Sequence, residues 1–343
     1  MYILRADRKS RGTRRVWSGI HEGAVNTMQD PYGREITYLR LSVTERCNLR
    51  CRYCMPEDGI AKKSREIMLT EDEMVRAVEA AASLGIRKLR LTGGEPLVKK
   101  NILAICRRCG VVDGIREICI TTNGILLPEL AKPLREAGLT RVNLSLDTLD
   151  PDKYAFITRR GRLEDALRGL DAALTAGFEK VKINSVLIGG FNDSEILALA
   201  DLTRQYPVDV RFIELMPIGG LGFGPEAYLP CTAVLERLPE LKALPEDGGV
   251  AKRYCLPGGL GSIGLITPVS THFCAQCNRI RLTADGYVKP CLHAAAEFPI
   301  KGLSQEEMAQ QMERAILAKP PCHAPLTYGH QSHAERNMNQ IGG

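Results

Sequence analysis

Three cysteines lie in one short run, CNLRCRYC, at Cys47, Cys51 and Cys54. Their spacing is C-x3-C-x2-C, and the run contains no fourth cysteine. A four-iron cluster that only carries electrons has four cysteine ligands, so three ligands leave one iron open. An open coordination position is typical of a catalytic metal site rather than a structural one. The alternative is a zinc or redox cysteine cluster of the kind found in cytosolic proteins.

A second set of three cysteines lies near the end of the chain, at Cys274, Cys277 and Cys291. Their spacing is C-x2-C-x13-C, again with no clear fourth cysteine. His272 and His293 are close in sequence, so a zinc site with three cysteines and one histidine is the alternative here. If the set instead holds a metal centre with a free position, that position is available to a substrate.

Arg279 and Arg281 lie between the second and third of these cysteines, in the run CNRIRL. Side chains two residues apart on an extended segment point to the same side. Paired guanidinium groups bind phosphate oxygens through bidentate hydrogen bonds. The run therefore predicts a site for a phosphate-bearing substrate beside the second metal centre.

Between about residues 36 and 218, strand-like runs alternate with helix-like runs. The predicted strands are 36–43, 86–92, 117–122, 141–147, 180–188 and 209–216, and helices are predicted over 98–109, 128–137, 163–176 and 194–205. Thr70 begins a further helix as its N-cap, with Glu73 completing a capping box and Gly85 ending the helix. This alternation indicates βα units around a parallel sheet, and six units are too few for a complete eight-stranded barrel. The expected fold is α/β, a partial (β/α)6 TIM-like barrel.

Three regions are expected along the chain. Residues 1–35 form a basic, flexible N-terminal arm, and residues 36–219 form the partial barrel. Residues 220–343 form a C-terminal accessory region that covers the barrel mouth and carries the second cysteine set and the terminal Gly-Gly. A terminal Gly-Gly is usually disordered, but it is also the most pliable segment that a chain can insert into a narrow cavity.

The second predicted strand ends in Thr92-Gly93-Gly94-Glu95-Pro96. Strand ends are where this type of fold places its chemistry. Two glycines allow the backbone to approach a ligand closely, and we expect their amide hydrogens to meet a carboxylate or an amine.

Polar and basic residues alternate with apolar ones along the predicted strands. The polar faces contain Lys88, Arg90 and Thr92; Asn143, Ser145 and Asp147; Lys180, Lys182 and Asn184; and Arg211. If the apolar faces pack against helices, these polar faces point into the barrel, where cations are costly unless they are paired or meet a charged ligand. One interpretation is that they pair with Glu95, Asp147 and Glu214 and only fix the structure. Several converging cations favour an anionic ligand.

Composition excludes several classes of protein. The 343 residues are 44% hydrophobic and 25% charged, as in an ordinary globular protein, and no apolar stretch is long enough to span a membrane. The net charge is +6, of which residues 1–15 contribute +5, so the body lacks the basic patches of a nucleic-acid-binding domain. The N-terminus has no secretory signal, and clustered cysteines indicate metal binding in the reducing cytoplasm.

The remaining cysteines and histidines carry less information. Cys106 and Cys109 are expected to be two half-buried thiols on a helix. Four further cysteines, Cys119, Cys231, Cys255 and Cys322, are interpreted as core or incidental residues. Three histidines, His323, His330 and His333, are expected in an exposed loop.

Taken together, these motifs resemble those of a known enzyme family. LRLSVTERCNLRCRYCMP, LRLTGGEP, ITTNG, VNLSLD, VRFIELMP, FCAQCNRIRLTADGYVKPCL and the terminal QIGG are similar to those of GTP 3′,8-cyclases. These are radical S-adenosylmethionine (SAM) enzymes, lyases that open molybdenum-cofactor biosynthesis. The resemblance runs from about residue 36 to the C-terminus.

The resemblance implies a role for each matching residue. Cys47, Cys51 and Cys54 would hold the [4Fe–4S] cluster that cleaves SAM, and Cys274, Cys277 and Cys291 a second [4Fe–4S] cluster whose open iron meets guanine. Tyr53, Gly94, Ser145 and Met216 would line the SAM site. Arg40, Arg90, Thr121, Lys182, Arg279 and Arg281 would contact GTP. Gly342 and Gly343 would enter the active site and be needed for turnover, alongside Arg279 and Arg281.

The implied reaction begins when a 5′-deoxyadenosyl radical removes the hydrogen from ribose C3′ of GTP. Attack on guanine C8 and reduction then give (8S)-3′,8-cyclo-7,8-dihydroguanosine 5′-triphosphate. The resemblance also implies a reductant such as flavodoxin or ferredoxin and hand-off of the product to cyclic pyranopterin monophosphate synthase. The protein would be a monomer or homodimer in the cytoplasm, with no nucleic-acid or membrane partner. The alternatives are a two-cluster radical SAM peptide maturase and a non-enzymatic zinc or nucleic-acid-binding protein.

Overall fold

The computed structural model describes residues 27–61, 63–218, 223–326, 332 and 336–342. Within these residues the first six strands are β1 (Tyr38–Ser42), β2 (Lys88–Thr92), β3 (Glu117–Thr122), β4 (Arg141–Ser145), β5 (Lys180–Leu187) and β6 (Val208–Glu214). The later strands are β7 (Lys242–Ala243), β8 (Lys252–Cys255), β9 (Ile263–Ile266), β10 (Arg279–Leu282), β11 (Tyr287–Lys289) and β12 (Phe298–Pro299). The α-helices are α1 (Glu71–Ser83), α2 (Ile102–Gly110), α3 (Leu127–Glu136), α4 (Pro151–Thr158), α5 (Leu163–Thr175), α6 (Ile196–Gln205), α7 (Thr232–Arg237) and α8 (Gln305–Leu317).

All these strands belong to one open sheet, in the order β12-β11-β10-β1-β2-β3-β4-β5-β6-β9-β8-β7. Strands β1 to β6 are parallel neighbours in chain order, with helices between them. The sheet does not close on itself, so the predicted partial (β/α)6 barrel is confirmed. Leu39, Leu41, Leu89 and Leu91 are fully buried on the face that packs against the helices.

The C-terminal region does more than cover the barrel mouth. Its strand β10 pairs in parallel with β1, and its strand β9 pairs in parallel with β6. The region therefore extends the barrel at both edges. The pairing of β10 with β1 joins segments about 240 residues apart, and that of β9 with β6 joins segments about 50 apart. Neither pairing has a local sequence signal, so the sequence predicted this region only at the mouth.

Helix boundaries follow local chemistry. Thr70 accepts a hydrogen bond from the Glu73 amide, and the Glu73 carboxylate accepts one from the Thr70 amide, so the predicted capping box is present. Helix α2 was expected from residue 98 but begins at Ile102, because Pro96–Val98 form a 3-10 turn capped by Glu95. Helix α4 was not predicted, although Asp150 caps its first turn.

Residues 27–35 belong to the folded body rather than to the predicted arm. Gln29 and Glu35 form a bridge, and Arg34 pairs with Asp30 at 2.5 Å. Arg34 also donates to the carbonyl oxygens of Pro320 at 2.6 Å and Cys274 at 2.7 Å. The rest of the predicted arm, residues 1–26, lies outside the described residues, as do Gly343, His330 and His333.

Candidate active site

One cavity of about 470 Å³ occupies the inside of the barrel. Both cysteine sets line it, and so do all the predicted SAM and GTP residues: Cys47, Cys51, Cys54, Cys274, Cys277, Cys291, Tyr53, Gly94, Ser145, Met216, Arg40, Arg90, Thr121, Lys182, Arg279 and Arg281. The structure thus brings together residues that are spread over about 250 positions of the sequence.

The two cysteine sets lie at opposite ends of the barrel strands. Cys47 follows the carboxyl end of β1, whereas Cys277 precedes the amino end of the parallel neighbour β10. Cys291 follows β11, which is antiparallel to β10 and therefore ends at the same edge as Cys277. Four residue steps of β1 separate the two edges, about 13 Å at the usual rise of a strand. The cavity between them is open to both sets.

Helix α4 supports the loop that carries the first cysteine set. The amides of Arg50 and Arg52 donate to the carbonyl oxygens of Thr158 and Ile157, at 3.0 and 2.9 Å. Arg159 donates back to the Arg50 carbonyl oxygen at 2.8 Å. The loop is therefore braced on both sides of Cys51.

Two side-chain hydrogen bonds tie the same loop to the ends of β3 and β4. Asn123 donates to Asn48 at 2.8 Å, and the Tyr53 hydroxyl donates to Asp147 at 2.7 Å. Asp147 also accepts the Val186 amide at 2.8 Å. The carboxylate of Asp147 thus fixes Tyr53 against the ends of two neighbouring strands.

Gly94 serves the cysteine loop differently from the expectation. Its amide donates to the Thr44 carbonyl oxygen at 2.8 Å, and the next amide, of Glu95, donates to the Arg46 carbonyl oxygen at 2.8 Å. A Cβ atom on Gly94 would lie 2.4 Å from the Arg46 oxygen, so only glycine fits there. The Gly94 amide is therefore not available to a ligand, contrary to the expectation, because the cysteine loop already accepts it.

Glu95 is fixed in the same way. Its carboxylate accepts the amides of Leu97 and Asn123 and the hydroxyl of Thr122, at 3.0, 2.7 and 2.7 Å. Asp147 and Glu214 also accept hydrogen bonds from neutral groups, including Tyr53 and Ser270. These hydrogen bonds account for three carboxylates that could instead have paired with the cations of the barrel.

The first cysteine set is suited to a metal cluster that neutralises it. Burial raises the pKa of Cys47 to about 11 and that of Cys54 to about 12, and raises the pKa of Cys51 well above its usual value. The charges of the three sulfurs on one another add to this effect at Cys51 and Cys54. The thiols therefore keep their protons until positive metal ions replace them. Three soft sulfur ligands facing one cavity fit an iron–sulfur cluster.

The second cysteine set lies in a more positive environment. Burial raises the pKa of Cys277, but the charges of Lys319 and Arg279 outweigh it and the pKa is lowered. At Cys274, hydrogen bonds from His323 outweigh burial and lower the pKa to about 7. These sulfurs lose their protons more readily, and they too fit an iron–sulfur cluster.

The histidines of the C-terminal region form a small group beside this set. His323 is half-buried, contrary to the expectation, and its ring lies 4.5 Å from His293 and 4.6 Å from His272. Burial lowers the pKa of His293 to about 3, so its ring is neutral, and its Nδ1 lies 3.0 Å from the Ser332 hydroxyl. Cys322 is exposed, and partial burial together with the neighbouring Cys274 raises its pKa to about 11.

All twelve cysteines are free. Cys106 and Cys109 are fully buried in the hydrophobic core rather than half-buried. Among the described residues, no group of three or more His, Cys, Asp or Glu side chains is arranged around a point that could hold a single metal ion.

Cations predominate along the cavity. Among the described residues, nine lysine and arginine side chains line it against three carboxylates. Lys88 and Arg141 pair with Glu117, which lies outside the lining, at 2.5 and 3.3 Å. Lys182 pairs with Asp209 at 3.0 Å. The balance favours an anionic ligand.

Several of these cationic side chains are positioned by contacts with neutral groups. Arg90 donates to the hydroxyls of Tyr38 and Thr121. Arg279 lies over the ring of Tyr38 at 5.4 Å. Its Nε and the Oδ1 of Asn184 are buried and have no hydrogen-bond partner among the described residues. Buried polar groups are rarely left unpaired, so these atoms indicate where a ligand completes the bonding.

The C-terminal tail enters this arrangement. Gly342 is buried, and its carbonyl oxygen accepts from Arg40 at 3.0 Å and from Arg281 at 2.5 Å. The Ile341 carbonyl oxygen also accepts from Arg281, at 3.1 Å. Gly342 has φ +68°, and a Cβ atom there would lie 2.3 Å from the Thr92 hydroxyl. The tail therefore reaches two of the predicted GTP-binding arginines.

Some residues of the cavity were not predicted as site residues. Lys88 and Arg211 share polar strand faces with predicted residues, so their alternation with apolar neighbours was the available signal. Lys319 lies after α8 in a run without any motif, and nothing local in the sequence marks it. No helix in the described part of the chain is long and apolar enough to cross a membrane.

Two family models match the chain. The Radical SAM superfamily model matches residues 41–203, and the Molybdenum Cofactor Synthesis C model matches residues 208–325. The first covers the barrel from β1 into α6, and the second covers most of the C-terminal region. Their boundary lies beside β6.

Solved structures share the fold. Streptococcus suis SuiB has a TM-score of 0.59 at 15% identity, covering 83% of this chain and 66% of that one. Native anSMEcpe with bound AdoMet has a TM-score of 0.57 at 16% identity, covering 83% and 81%. At these identities the likeness shows the fold alone.

Curated relatives are similar over nearly the whole chain. The GTP 3′,8-cyclase of Alkaliphilus oremlandii (strain OhILAs) is 48% identical over 92% of this chain and 100% of its own length. That of Moorella thermoacetica (strain ATCC 39073 / JCM 9320) is 47% identical, and that of Pelotomaculum thermopropionicum (strain DSM 13744 / JCM 10971 / SI) also 47%, with the same coverage. With two iron–sulfur cysteine sets facing one cationic cavity, this chain belongs to the GTP 3′,8-cyclase family of radical SAM enzymes.

Proposed function

We propose that this chain binds GTP inside the barrel, between the two cysteine sets, and cyclises it to (8S)-3′,8-cyclo-7,8-dihydroguanosine 5′-triphosphate. This is the first step of molybdenum-cofactor biosynthesis. The observation that supports the proposal most directly is the cavity itself: cations line the space between two incomplete cysteine ligand sets at opposite strand ends. A nucleoside triphosphate carries the negative charge that such a cavity needs.

The cofactors are SAM and two [4Fe–4S] clusters. Cys47, Cys51 and Cys54 hold the first cluster, and Cys274, Cys277 and Cys291 hold the second. When bound, SAM and the first cluster supply the radical that removes the C3′ hydrogen of GTP. The protein's part is to hold the ribose in reach, to orient the base and to exclude water and other quenchers.

The SAM site lies at the carboxyl ends of the strands, beside the first cysteine set. Tyr53, Gly94, Ser145 and Met216 contact SAM there. Because the Gly94 amide is already bonded to Thr44, Gly94 contributes its carbonyl oxygen. The Tyr53 ring lines this site in a fixed orientation, since its hydroxyl donates a hydrogen bond to Asp147.

GTP lies deeper in the barrel, toward the second cysteine set. Its contacts are Arg40, Arg90, Thr121, Lys182, Arg279 and Arg281. The buried Nε of Arg279, which has no hydrogen-bond partner in the described part of the chain, supports a phosphate or ribose contact at this residue. Gly342 closes the site by lying against Arg40 and Arg281, and its left-handed backbone requires glycine. Gly343 is needed with it for turnover.

The proposal has a consequence for the second cysteine set. Cys291→Ala, in full-length protein reconstituted anaerobically, should lose the change that GTP produces in the electron paramagnetic resonance spectrum and should still cleave SAM. Cys255→Ala is the matched control, because Cys255 lies in β8 outside the cavity lining. An unchanged response to GTP in Cys291→Ala would contradict the placement of GTP at the second cluster.

The remaining partners follow from the chemistry. A low-potential electron carrier such as flavodoxin or ferredoxin would supply the electrons that the first cluster needs, and the product would pass to cyclic pyranopterin monophosphate synthase. The protein works in the cytoplasm, since reduced thiolate ligands and clusters persist in a reducing compartment. It acts there as a monomer or homodimer, as the resemblance implies. Size-exclusion chromatography with light scattering under anaerobic conditions measures the oligomeric state.

A further inference from the structure

Lys319 is almost completely buried and points at the second cysteine set. It follows the end of α8, and only 3% of its surface is exposed. Its Nζ donates to the carbonyl oxygens of Arg279 and Pro290, both at 2.8 Å, and lies 3.6 Å from the Sγ of Cys277. An ammonium group has three N–H donors, and each of these atoms can accept one.

The three acceptors belong to the two segments that carry the cysteines. Arg279 is two residues beyond Cys277, and Pro290 directly precedes Cys291. One buried ammonium group therefore joins the backbone at β10 to the backbone after β11. Without it, the carbonyl oxygens of Arg279 and Pro290 would each lose a partner in a buried place, which is costly.

The charge of Lys319 has no carboxylate partner in the described part of the chain, although its surroundings are buried. Burying a lone ammonium group is costly unless a negative group or good hydrogen bonds compensate it. The Cys277 sulfur is the contact that becomes negative when it is a thiolate ligand. The charge of Lys319 is thus matched to a ligand sulfur.

The first cysteine set offers a contrast. The Sγ of Cys47 accepts a hydrogen bond from the neutral Leu49 amide at 3.3 Å. A neutral amide and a buried ammonium group differ by a full charge. Hydrogen bonds to the sulfurs and local charge are two of the factors that set the reduction potential of an iron–sulfur cluster.

We propose that Lys319 is a positioning residue of the second cluster, which joins the Cys277 and Cys291 segments and raises the reduction potential of the cluster through its charge at Cys277. The inference rests on the proposed function, in which Cys274, Cys277 and Cys291 hold that cluster. Its consequence is that the two clusters of one cavity differ in potential, because only the second has a buried ammonium group at a ligand sulfur among the described contacts.

The test isolates the second cluster in the full-length chain by replacing Cys47, Cys51 and Cys54 with alanine. In this parent, Lys319→Gln removes the charge but keeps N–H donors, Lys319→Met removes both, and Lys319→Arg keeps the charge. Iron and sulfide content and the midpoint potential, from redox titration followed by electron paramagnetic resonance, are measured for each. Lys301→Met is the matched control, since Lys301 pairs with Glu73 away from the cluster.

We expect Lys319→Gln to keep the iron content of the parent and to shift the potential to more negative values. Lys319→Arg should restore the potential, and Lys319→Met should lose iron as well. A Lys319→Gln protein with full iron content and an unchanged potential would overturn the role of the charge. A Lys319→Met protein with full iron content would overturn the role in joining the segments.

The failure of this inference can be distinguished from the failure of the proposed function. If the parent itself, with Lys319 intact, binds no four-iron cluster, then the assignment of Cys274, Cys277 and Cys291 is wrong. If the parent binds the cluster and the Lys319 variants match it in both measurements, only the inference about Lys319 is wrong.

Discussion

GTP binding should weaken as the pH rises through about 8, because of Lys182. Its side chain is buried on β5 and pairs with Asp209 at 3.0 Å. Burial, with the nearby charge of Arg211, lowers the pKa of Lys182 to about 8 although Asp209 opposes the shift. Only the protonated amine attracts phosphate oxygens. Binding should therefore be nearly level up to about pH 7, should be about halved near pH 8 and should decline further above it.

The size of the effect follows from the pKa. Lys182 is about nine-tenths protonated at pH 7 and about one-tenth protonated at pH 9, so the apparent affinity for GTP should fall about tenfold between them. A tenfold change corresponds to about 1.4 kcal/mol of binding free energy. Anaerobic isothermal titration calorimetry of the SAM-bound, reconstituted protein with GTP measures the change directly.

Two variants separate Lys182 from other titrating groups. Lys182→Arg keeps its positive charge throughout this range, so its affinity should lose the decline that belongs to Lys182. Lys182→Met should bind GTP weakly at every pH. Titration of the nucleotide itself appears in all three proteins and is subtracted. The same tenfold decline in Lys182→Arg would refute the assignment.

Three other perturbations have defined outcomes. Gly342→Ala places a Cβ atom 2.3 Å from the Thr92 hydroxyl and strains a left-handed backbone by about 1 kcal/mol or more. Cyclisation, measured by product chromatography, should therefore fall while the iron content stays normal. Wild-type turnover would contradict this. Arg279→Ala should weaken GTP binding at least about tenfold in calorimetry, because a charged hydrogen bond is lost. SAM cleavage without cyclisation should continue. A normal affinity for GTP would exclude the contact. Tyr53→Phe removes the hydroxyl that donates to Asp147 at 2.7 Å. It should weaken SAM binding, measured by equilibrium dialysis, by about 1–3 kcal/mol. Unchanged binding would show that the hydrogen bond to Asp147 is not needed to position Tyr53.

The elements that the sequence predicted are those with local signals. The strands β1 to β6 alternate polar and apolar residues, and α1 begins at a capping box, so both could be placed from a few neighbouring residues. Period-2 alternation also predicted that Arg90 and Lys182 face the cavity. The spacing of the cysteines was enough to predict the two ligand sets.

What the sequence did not predict depends on contacts between distant segments. The pairing of β10 with β1 joins residues about 240 positions apart, and the bond from Gly94 to Thr44 joins two loops. The contact of Lys319 with Cys277 requires α8 to end at the second cysteine set. Such contacts depend on how distant segments pack together, and no short stretch of sequence predicts that packing.

The most direct test of the central claim follows the hydrogen at C3′. Reconstituted protein is incubated anaerobically with SAM, dithionite and GTP deuterated at C3′, and the 5′-deoxyadenosine is analysed by mass spectrometry. The account predicts deuterium in 5′-deoxyadenosine together with the cyclised nucleotide. Release of 5′-deoxyadenosine without deuterium would contradict it, because the radical would then have taken its hydrogen from another position or another substrate.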